Sequence, residues 1–312
     1  MHPWRSGADC DCRFWQSLLR STSLKNVPLA ISDMNDESNY VCDEHFLRLL
    51  ARRNDADPTI VALEIARDAY PDLEFHKVLD WIDARAAELA GPVAQTRDEF
   101  ELLELFGECL FRSHDLAGYD ETFQLADSSY LNRVIETKNG IPISLSLLYM
   151  AVASRLGITL EGVSSPLHFL TRYDSTEGPL FLDAFNGGHI MRGPECVRWL
   201  AERTGLPRTQ IKPALRATDT RTIAIRMLNN IRTVHLVKED WPALWPVQHR
   251  LTALQPASYE ERRNLAMIAM KTDHAGMAID LFESILKTSP AEERPHIEVQ
   301  LEQARGRVAT WN

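Results

Sequence analysis

The side chains with the chemical means for catalysis lie in the middle of the 312-residue chain. Between Tyr130 and Asn186 a glycine leads into an apolar run, His168 begins a short extended run, and Asp183 lies in the next one. An imidazole can move a proton when a partner lies within about 2.6 to 3.2 Å. Ser144, in the first turn of the apolar run, adds a hydroxyl group. This stretch is therefore where we expect acid–base chemistry.

The cysteines do not extend this pattern. Their odd number and irregular spacing fit neither a disulfide framework nor a zinc site of repeated C-x-x-C type. We interpret them as reduced thiols; they are Cys10, Cys12, Cys42, Cys109 and Cys196. The close pair Cys10 and Cys12 falls in residues 1–40, a partly ordered lead-in where fraying is expected. We predict no metal site and no cofactor.

Amphipathic helices precede the central stretch. Apolar residues recur at helical spacing over Cys42–Arg53, after Asp57-Pro58, over Leu73–Leu89 and over Phe100–Phe111. Asp57 and Pro58 suit the N-cap and the first helical position. Gly91-Pro92 should end the third helix. The first third of the chain is thus predicted to be a helical layer that supports the central stretch.

The central stretch changes character along its length. Ile143 to Leu156 is apolar nearly all round, which is typical of a helix buried within a domain. Three short extended runs come next, Thr159–Val163, His168–Tyr173 and Leu180–Phe185. One buried helix followed by short strands indicates an α+β domain.

The chain becomes helical again after about residue 210. Pro256 and Pro290 lie 34 residues apart, which is the tetratricopeptide period. In the unit that begins near Tyr259, the small and aromatic positions of that repeat are filled by Ala266, Ala278 and Phe282. The preceding unit places Arg232 where a small residue is preferred. Two such repeats, or a plain pair of helical hairpins, both fit this pattern.

The central motifs resemble a known superfamily. GIPISLSLLY, HFL and FLDAFNGG, at this spacing, are similar to the transglutaminase-like (papain-like) fold, and most of all to its SirB-type branch, in which tetratricopeptide repeats follow the domain. The resemblance runs from about Leu103 to Trp199. It implies a small antiparallel sheet packed against the buried helix.

The resemblance also implies a Cys-His-Asp triad. His168 and Asp183 match the imidazole base and the carboxylate that orients it. The thiol should stand at the start of the buried helix, where the helix dipole favours the thiolate. Pro142 occupies that position, and no cysteine lies between Cys109 and Cys196.

Three interpretations of this missing thiol remain open. In the first, His168 and Asp183 form a structural pair and the domain only binds or scaffolds. In the second, Ser144 replaces the thiol, although two residues along a helix turn a side chain by about 200°. In the third, Cys196 or Cys109 supplies the nucleophile from elsewhere.

A few more residues are candidates for the lining of a binding cleft. They are Asn139, Pro142 and Asn186, of which Asn139 and Asn186 equally suit capping and turn roles. Leu167 departs from the SirB-type pattern, in which a glycine usually precedes the histidine. We expect Leu167 to narrow the approach to the imidazole.

The net charge of −10 argues against nucleic acid or an anionic membrane as the main partner. No apolar run approaches the roughly 20 residues of a membrane span, and no secretory signal begins the chain, so we expect a soluble protein of the cytoplasm.

These observations predict an α+β protein of three parts. Residues 1–40 form the lead-in, 41–210 the transglutaminase-like domain with its N-terminal helices, and 211–312 the helical tetratricopeptide-like region. The expected function is that of a non-catalytic adaptor with a protein or peptide partner. The alternative is a hydrolase or acyltransferase that uses His168 and Asp183 with a displaced nucleophile, Ser144, Cys196 or Cys109.

Overall fold

A computed structural model of the chain describes residues 40–272 and 274–309. The predictions for the lead-in and for the Cys10 and Cys12 pair lie outside these residues. All described residues belong to one compact unit, 36–312.

Four α-helices form the first part of this unit. They are α1 (Glu44–Leu50), α2 (Pro58–Arg67), α3 (Phe75–Gln95) and α4 (Glu99–Gly107). The predicted start of α2 is confirmed, because Asp57 Oδ1 accepts hydrogen bonds from Thr59 N at 2.7 Å and Ile60 N at 3.2 Å. These bonds satisfy N–H groups that the first turn of a helix leaves free.

The predicted end of the third helix is wrong, because α3 continues through Gly91 and Pro92 to Gln95. A residue before proline normally avoids helical geometry, since its Cβ clashes with the proline ring. Gly91 has no Cβ, which removes that clash. Thr96 N then donates to Pro92 O at 3.1 Å and closes the last turn.

The chain then changes helix type twice before the buried helix. After α4 it continues as a π-helical turn, Glu108–Ser113, so the helix predicted to Phe111 is regular only up to Gly107. Two 3-10 turns, Asp120–Gln124 and Ala126–Ser129, and the short helix α5 (Leu131–Thr137) come next.

The central helix and the sheet match the predicted architecture. Helix α6 (Pro142–Arg155) is buried over nearly its whole length. The strands are β1 (Glu161–Val163), β2 (Leu170–Ser175), β3 (Gly178–Asp183) and β4 (His189–Arg192). They form one antiparallel sheet in the order β1-β2-β3-β4. The mixed helical and antiparallel prediction is therefore confirmed, with one strand more than the sequence indicated.

The rest of the described chain is helical, as predicted for the part after residue 210. The helices are α7 (Gly193–Thr204), α8 (Arg208–Ala214), α9 (Thr220–Val237), α10 (Trp241–Leu254), α11 (Tyr259–Ala269), α12 (Ala275–Leu286) and α13 (Arg294–Ala309). Among the described helices, none is both long and apolar enough to cross a membrane.

Among the hydrophobic clusters of the described residues are two that include side chains from both sides of position 210. The first surrounds α6 and includes Phe106, Tyr149 and Phe169. The second joins α1 and α2 to α9 and α10 through residues such as Phe46 and Leu251. Residues on both sides of position 210 thus share a core, and the domain boundary there stays a prediction.

Candidate functional site

The N-terminal end of α6 is capped by hydrogen bonds of the Ser144 hydroxyl. Pro142 occupies the first helical position, where its missing N–H would have no partner in any case. The Ser144 hydroxyl donates to Ser128 O at 2.6 Å and accepts from Ile141 N at 3.1 Å. Ser144 is fully buried. Its hydroxyl therefore caps the helix, and the structure gives it no hydrogen bond with His168.

His168 lies in the loop just before β2 rather than in the strand itself. Its carbonyl oxygen accepts from Ser165 Oγ and from Arg226 Nη2, both at 2.8 Å. Arg226 Nη1 also donates to Ser165 O at 2.6 Å. Leu167 has φ 58°, a left-handed conformation that suits the glycine expected there from the resemblance. Arg226, a residue of α9, thus holds this loop in place through hydrogen bonds to its backbone carbonyl groups.

Sequence reasoning missed Arg226, because it lies far along the chain and no local motif includes it. Burial lowers the pKa of its guanidinium to about 10, so the side chain remains charged at neutral pH. Its side chain also lies over the Phe169 ring at 5.7 Å.

His168 and Asp183 form a buried pair. The distance from His168 Nε2 to Asp183 Oδ1 is 2.8 Å, and the two residues are only 4% and 1% exposed. Asp183 also accepts from the backbone N–H groups of Phe185 and Asn186, and from the Asn186 side chain at 2.5 Å. Burial opposes ionisation of Asp183, but the bonds from His168 and Asn186 outweigh it and hold the pKa of the carboxyl below its usual value. The ionised Asp183 therefore accepts a hydrogen bond from the Nε2–H group of His168.

Aromatic rings enclose the imidazole. The Trp199 ring lies edge-on to it at 5.1 Å and the Phe185 ring at 6.0 Å. Because Nε2 is bonded to Asp183, Nδ1 is the nitrogen left for a reacting group. Within the part of the chain that the structure describes, Nδ1 has no hydrogen-bond partner. His168 and Asp183 thus have the relative orientation of the base and the carboxylate in a catalytic triad. Among the described residues, no nucleophile is hydrogen-bonded to the imidazole.

The two cysteines considered as displaced nucleophiles are both buried. Burial and the neighbouring Glu88 carboxylate raise the pKa of Cys109 to about 11. Burial and the Asp183 charge raise the pKa of Cys196 to about 12. Both thiols are thus protonated at neutral pH, which is the opposite of an activated thiolate.

The three cleft candidates have different surroundings. Pro142 is buried in the first turn of α6. Asn139 is half-buried, and its side chain donates to Thr137 O at 2.7 Å, which is a turn role. Asn186 is exposed, but its amide is bonded to Asp183. Gly187 and Gly188 come next with φ of 70° and 79°, so the turn after Asp183 uses the left-handed conformation that glycine tolerates.

A buried helix, an antiparallel sheet and a His-Asp pair at the ends of its strands are the features of a transglutaminase-like domain. The family model described as "Transglutaminase-like superfamily" matches residues 76–229. The chain belongs to the UPF0162 family. The UPF0162 protein of Xylella fastidiosa (strain Temecula1) is 30% identical over 233 residues, which are 74% of this chain and 83% of the relative.

Two other relatives show how far the similarity extends. A UPF0162 protein of Vibrio cholerae is 30% identical over 181 residues, 57% of this chain and 66% of the relative. F-box only protein 21 of Mus musculus is 34% identical over 104 residues, 31% of this chain and 17% of the relative. No solved structure matches the chain significantly.

Proposed function

We propose that this chain is a non-catalytic transglutaminase-like protein that binds a protein or peptide partner. The observation that supports this most directly is the absence, among the described residues, of any hydroxyl or thiol bonded to His168 Nδ1. Pro142 stands where the superfamily thiol is expected, and Ser144 is engaged in capping. The His168 and Asp183 pair then serves to tie the loop before β2 to the end of β3.

An exposed apolar surface beside this pair supports a binding role. We define the apolar rim as the exposed side chains Phe111, Tyr119, Phe123, Leu125 and Leu167. Tyr119 is 56% exposed, Leu167 49% and Phe123 46%. Tyr119 and Leu125 lie within four residues of Phe123, and Leu167 is next to His168; exposed apolar side chains that form one patch are typical of interaction sites.

Ring contacts relate the apolar rim to the His168 site. The Phe123 ring lies 5.6 Å from Phe185, and Phe185 contacts the imidazole. Phe111 packs against Gly187, in the turn just after Asp183. A partner that covers the apolar rim would therefore lie close to the His168 and Asp183 pair.

We infer further that the C-terminal helices are tetratricopeptide-like and that the protein is of the SirB type. Helices α10 and α12 begin at Trp241 and Ala275, 34 residues apart. Ala266, Ala278 and Phe282 are buried, as the repeat requires. Stacked repeats of this type present a concave surface that suits peptide partners.

A photo-crosslinking experiment tests the binding proposal. The full chain carries benzoylphenylalanine at position 123 and is illuminated in cells of its source organism. Discrete crosslinked products with partner proteins should form. The matched control is position 299 on α13, where Val299 is 54% exposed. Leu167→Gly is the rim variant, because glycine accepts the left-handed backbone. It should abolish the crosslinks, whereas His168→Ala should leave them. Identical products at positions 123 and 299 would refute a selective rim.

The retained His168 and Asp183 geometry favours one second candidate, a hydrolase or acyltransferase. Labelling of the purified wild-type protein and of His168→Ala decides between the two, with a serine-directed fluorophosphonate and a thiol-directed alkylator followed by peptide mass spectrometry. Fast labelling of Ser144, Cys109 or Cys196 that disappears in His168→Ala would establish the enzyme. Slow labelling that does not depend on His168 is the outcome expected of the binding protein.

A further inference from the structure

A second group of reactive side chains lies away from His168, between α3 and the π-helical turn. Glu88, Cys109 and His114 each direct one donor atom at the others, and these atoms all lie within 4.8 Å of one another. His114 Nε2 is 2.7 Å from Glu88 Oε2, and Cys109 Sγ is 3.8 Å from the same oxygen. We propose that these three residues bind a divalent transition-metal ion, with zinc as the best fit.

The local backbone explains why these residues meet. The π-helical turn is closed by a hydrogen bond of 3.1 Å from His114 N to Cys109 O, which places the two side chains near each other. Helical turns of this type are rare and occur frequently at functional sites. Helix α3 supplies Glu88 opposite the turn, on a segment that Gly91 and Pro92 do not interrupt.

The distances suit a tetrahedral zinc site. Zinc binds sulfur at about 2.3 Å, nitrogen at about 2.0–2.1 Å and carboxylate oxygen at about 2.0–2.2 Å, so tetrahedral ligands lie roughly 3.3–3.6 Å apart. The distance from Cys109 Sγ to Glu88 Oε2 is already near this range. Glu88 Oε2 and His114 Nε2 need to separate by less than about 1 Å, with the ion replacing their hydrogen bond.

The donor types also select the ion. A thiolate is a soft ligand that favours zinc over magnesium or calcium, and imidazole suits zinc equally well. Binding releases the Cys109 proton to solvent. The resulting thiolate and the Glu88 carboxylate neutralise the two charges of the ion.

Neighbouring side chains already orient two of the ligands. Arg85 Nη2 donates to Glu88 Oε1 at 2.7 Å, which leaves Oε2 for the ion. The Trp81 ring lies edge-on to His114 at 6.2 Å, and the Arg85 guanidinium lies over the same Trp81 ring. Outer partners of this kind fix ligand geometry in metal sites.

The arrangement leaves the fourth tetrahedral position to a water molecule or a substrate. The Glu88 side chain is 46% exposed, so solvent reaches the group. Sequence reasoning did not find this group, because its members are 21 and five residues apart and match neither a C-x-x-C repeat nor a pair of ligands one helical turn apart.

Cobalt titration of the reduced, metal-free full chain tests the proposal. The wild-type protein should develop one equivalent of thiolate-to-cobalt charge-transfer absorption, and an equivalent of zinc should remove it. Cys109→Ser should abolish this absorption. Glu88→Gln and His114→Gln should weaken binding by at least the roughly 10- to 100-fold seen on loss of an outer partner. The exposed position of Glu88 makes its variant safe for folding, which circular dichroism checks.

Matched cysteine variants separate this site from other thiols. The double variant Cys10→Ser/Cys12→Ser and the single variant Cys196→Ser should keep the cobalt absorption. Absorption that survives in Cys109→Ser, or that disappears only with Cys10 and Cys12, would overturn the proposal. So would a wild-type protein that shows no absorption. His168→Ala should bind cobalt normally, because its imidazole is not a ligand here.

Discussion

At the scale of single residues, the hydrogen bonds of the candidate site keep Asp183 ionised. Its two carboxylate oxygens receive hydrogen bonds from His168, from the backbone of Phe185 and from Asn186. These bonds stabilise the ionised form more than burial destabilises it, so the pKa lies below its usual value. A carboxyl group with a lowered folded-state pKa contributes stability above its unfolded pKa of about 3.9, and the contribution is lost as the pH falls through the folded value.

Asp183→Asn should therefore destabilise the protein by about 2–3 kcal/mol at neutral pH, because hydrogen bonds to a buried charge are lost. The difference from wild type should begin to shrink below about pH 4, where Asp183 of the unfolded chain is protonated first, and should continue to shrink as the pH falls towards the lower folded-state pKa of Asp183. Urea unfolding at several pH values measures both quantities. The control is Asp174→Asn, an exposed carboxylate paired with Arg172 in the same sheet, which should cost no more than about 1 kcal/mol. Equal losses at low and neutral pH would show that packing, not charge, is responsible.

The chemistry of the site was predictable only in part from the sequence. His168 and Asp183 were found because each stands in a short motif, and the structure brings them together. The hydrogen bond from Ser144 to Ser128 depends on a segment 16 residues earlier, and the bonds from Arg226 depend on a helix 58 residues later. Long-range contacts of this kind leave no periodic pattern in the sequence.

At the scale of elements, the approach of one loop to Phe185 depends on Gly118. A Cβ at this position would lie 2.0 Å from Phe185 Cδ2, which is closer than any real contact. The aromatic ring that bridges His168 and the apolar rim therefore requires a glycine beside it.

Gly118→Ala should destabilise the protein by about 1–3 kcal/mol, the usual cost of overpacking, and should displace the Phe185 ring. Equilibrium unfolding gives the free energy, and a double variant with Phe185→Ala should recover part of it, since removing the ring removes the clash. Gly306→Ala is the matched control: nothing lies near its Cβ position on α13, so it should stabilise the helix by up to about 1 kcal/mol. An unchanged stability of Gly118→Ala would mean that the ring moves aside freely.

Local sequence patterns predict some of these elements and not others. The start of α2 and the burial of α6 were predictable, because a cap and a continuous apolar run are local signals. Strand β4 was not, because only two buried residues stand between exposed ends and two glycines precede it. The π-helical turn was not either, since its apolar residues continue the spacing of α4.

At the scale of the whole molecule, Arg250 joins α10 to the first helices of the described chain. It donates to Asp43 beside α1 and to Asp68 after α2, each at 2.6 Å, and it is 2% exposed. Its guanidinium also lies over the Tyr40 and Phe46 rings. One side chain of α10 thus connects the C-terminal helices to the N-terminal layer.

Arg250→Ala should cost about 3 kcal/mol of unfolding free energy, the lower end of the range for breaking a buried ion pair, because Asp68 loses its pair with Arg250 while the buried Asp43 keeps its pair with Arg67. Arg305→Ala is the control, since Arg305 pairs with Glu283 and Glu302 on the surface, and it should cost at most about 1 kcal/mol. Denaturant unfolding of both variants provides the comparison. Similar losses in the two would show that the Arg250 ion pairs do not hold α10 to the N-terminal helices.

The core shared by α1, α2, α9 and α10 also affects how the protein is made. Phe46 and Ile65 leave the ribosome early, but Leu228, Leu251 and Leu254, which cover them, are synthesised nearly 200 residues later. At about 5–20 residues per second, their apolar side chains remain uncovered for on the order of 10–40 s. The nascent chain is a natural client for chaperones during this interval, and translation that stops before residue 254 leaves an aggregation-prone product.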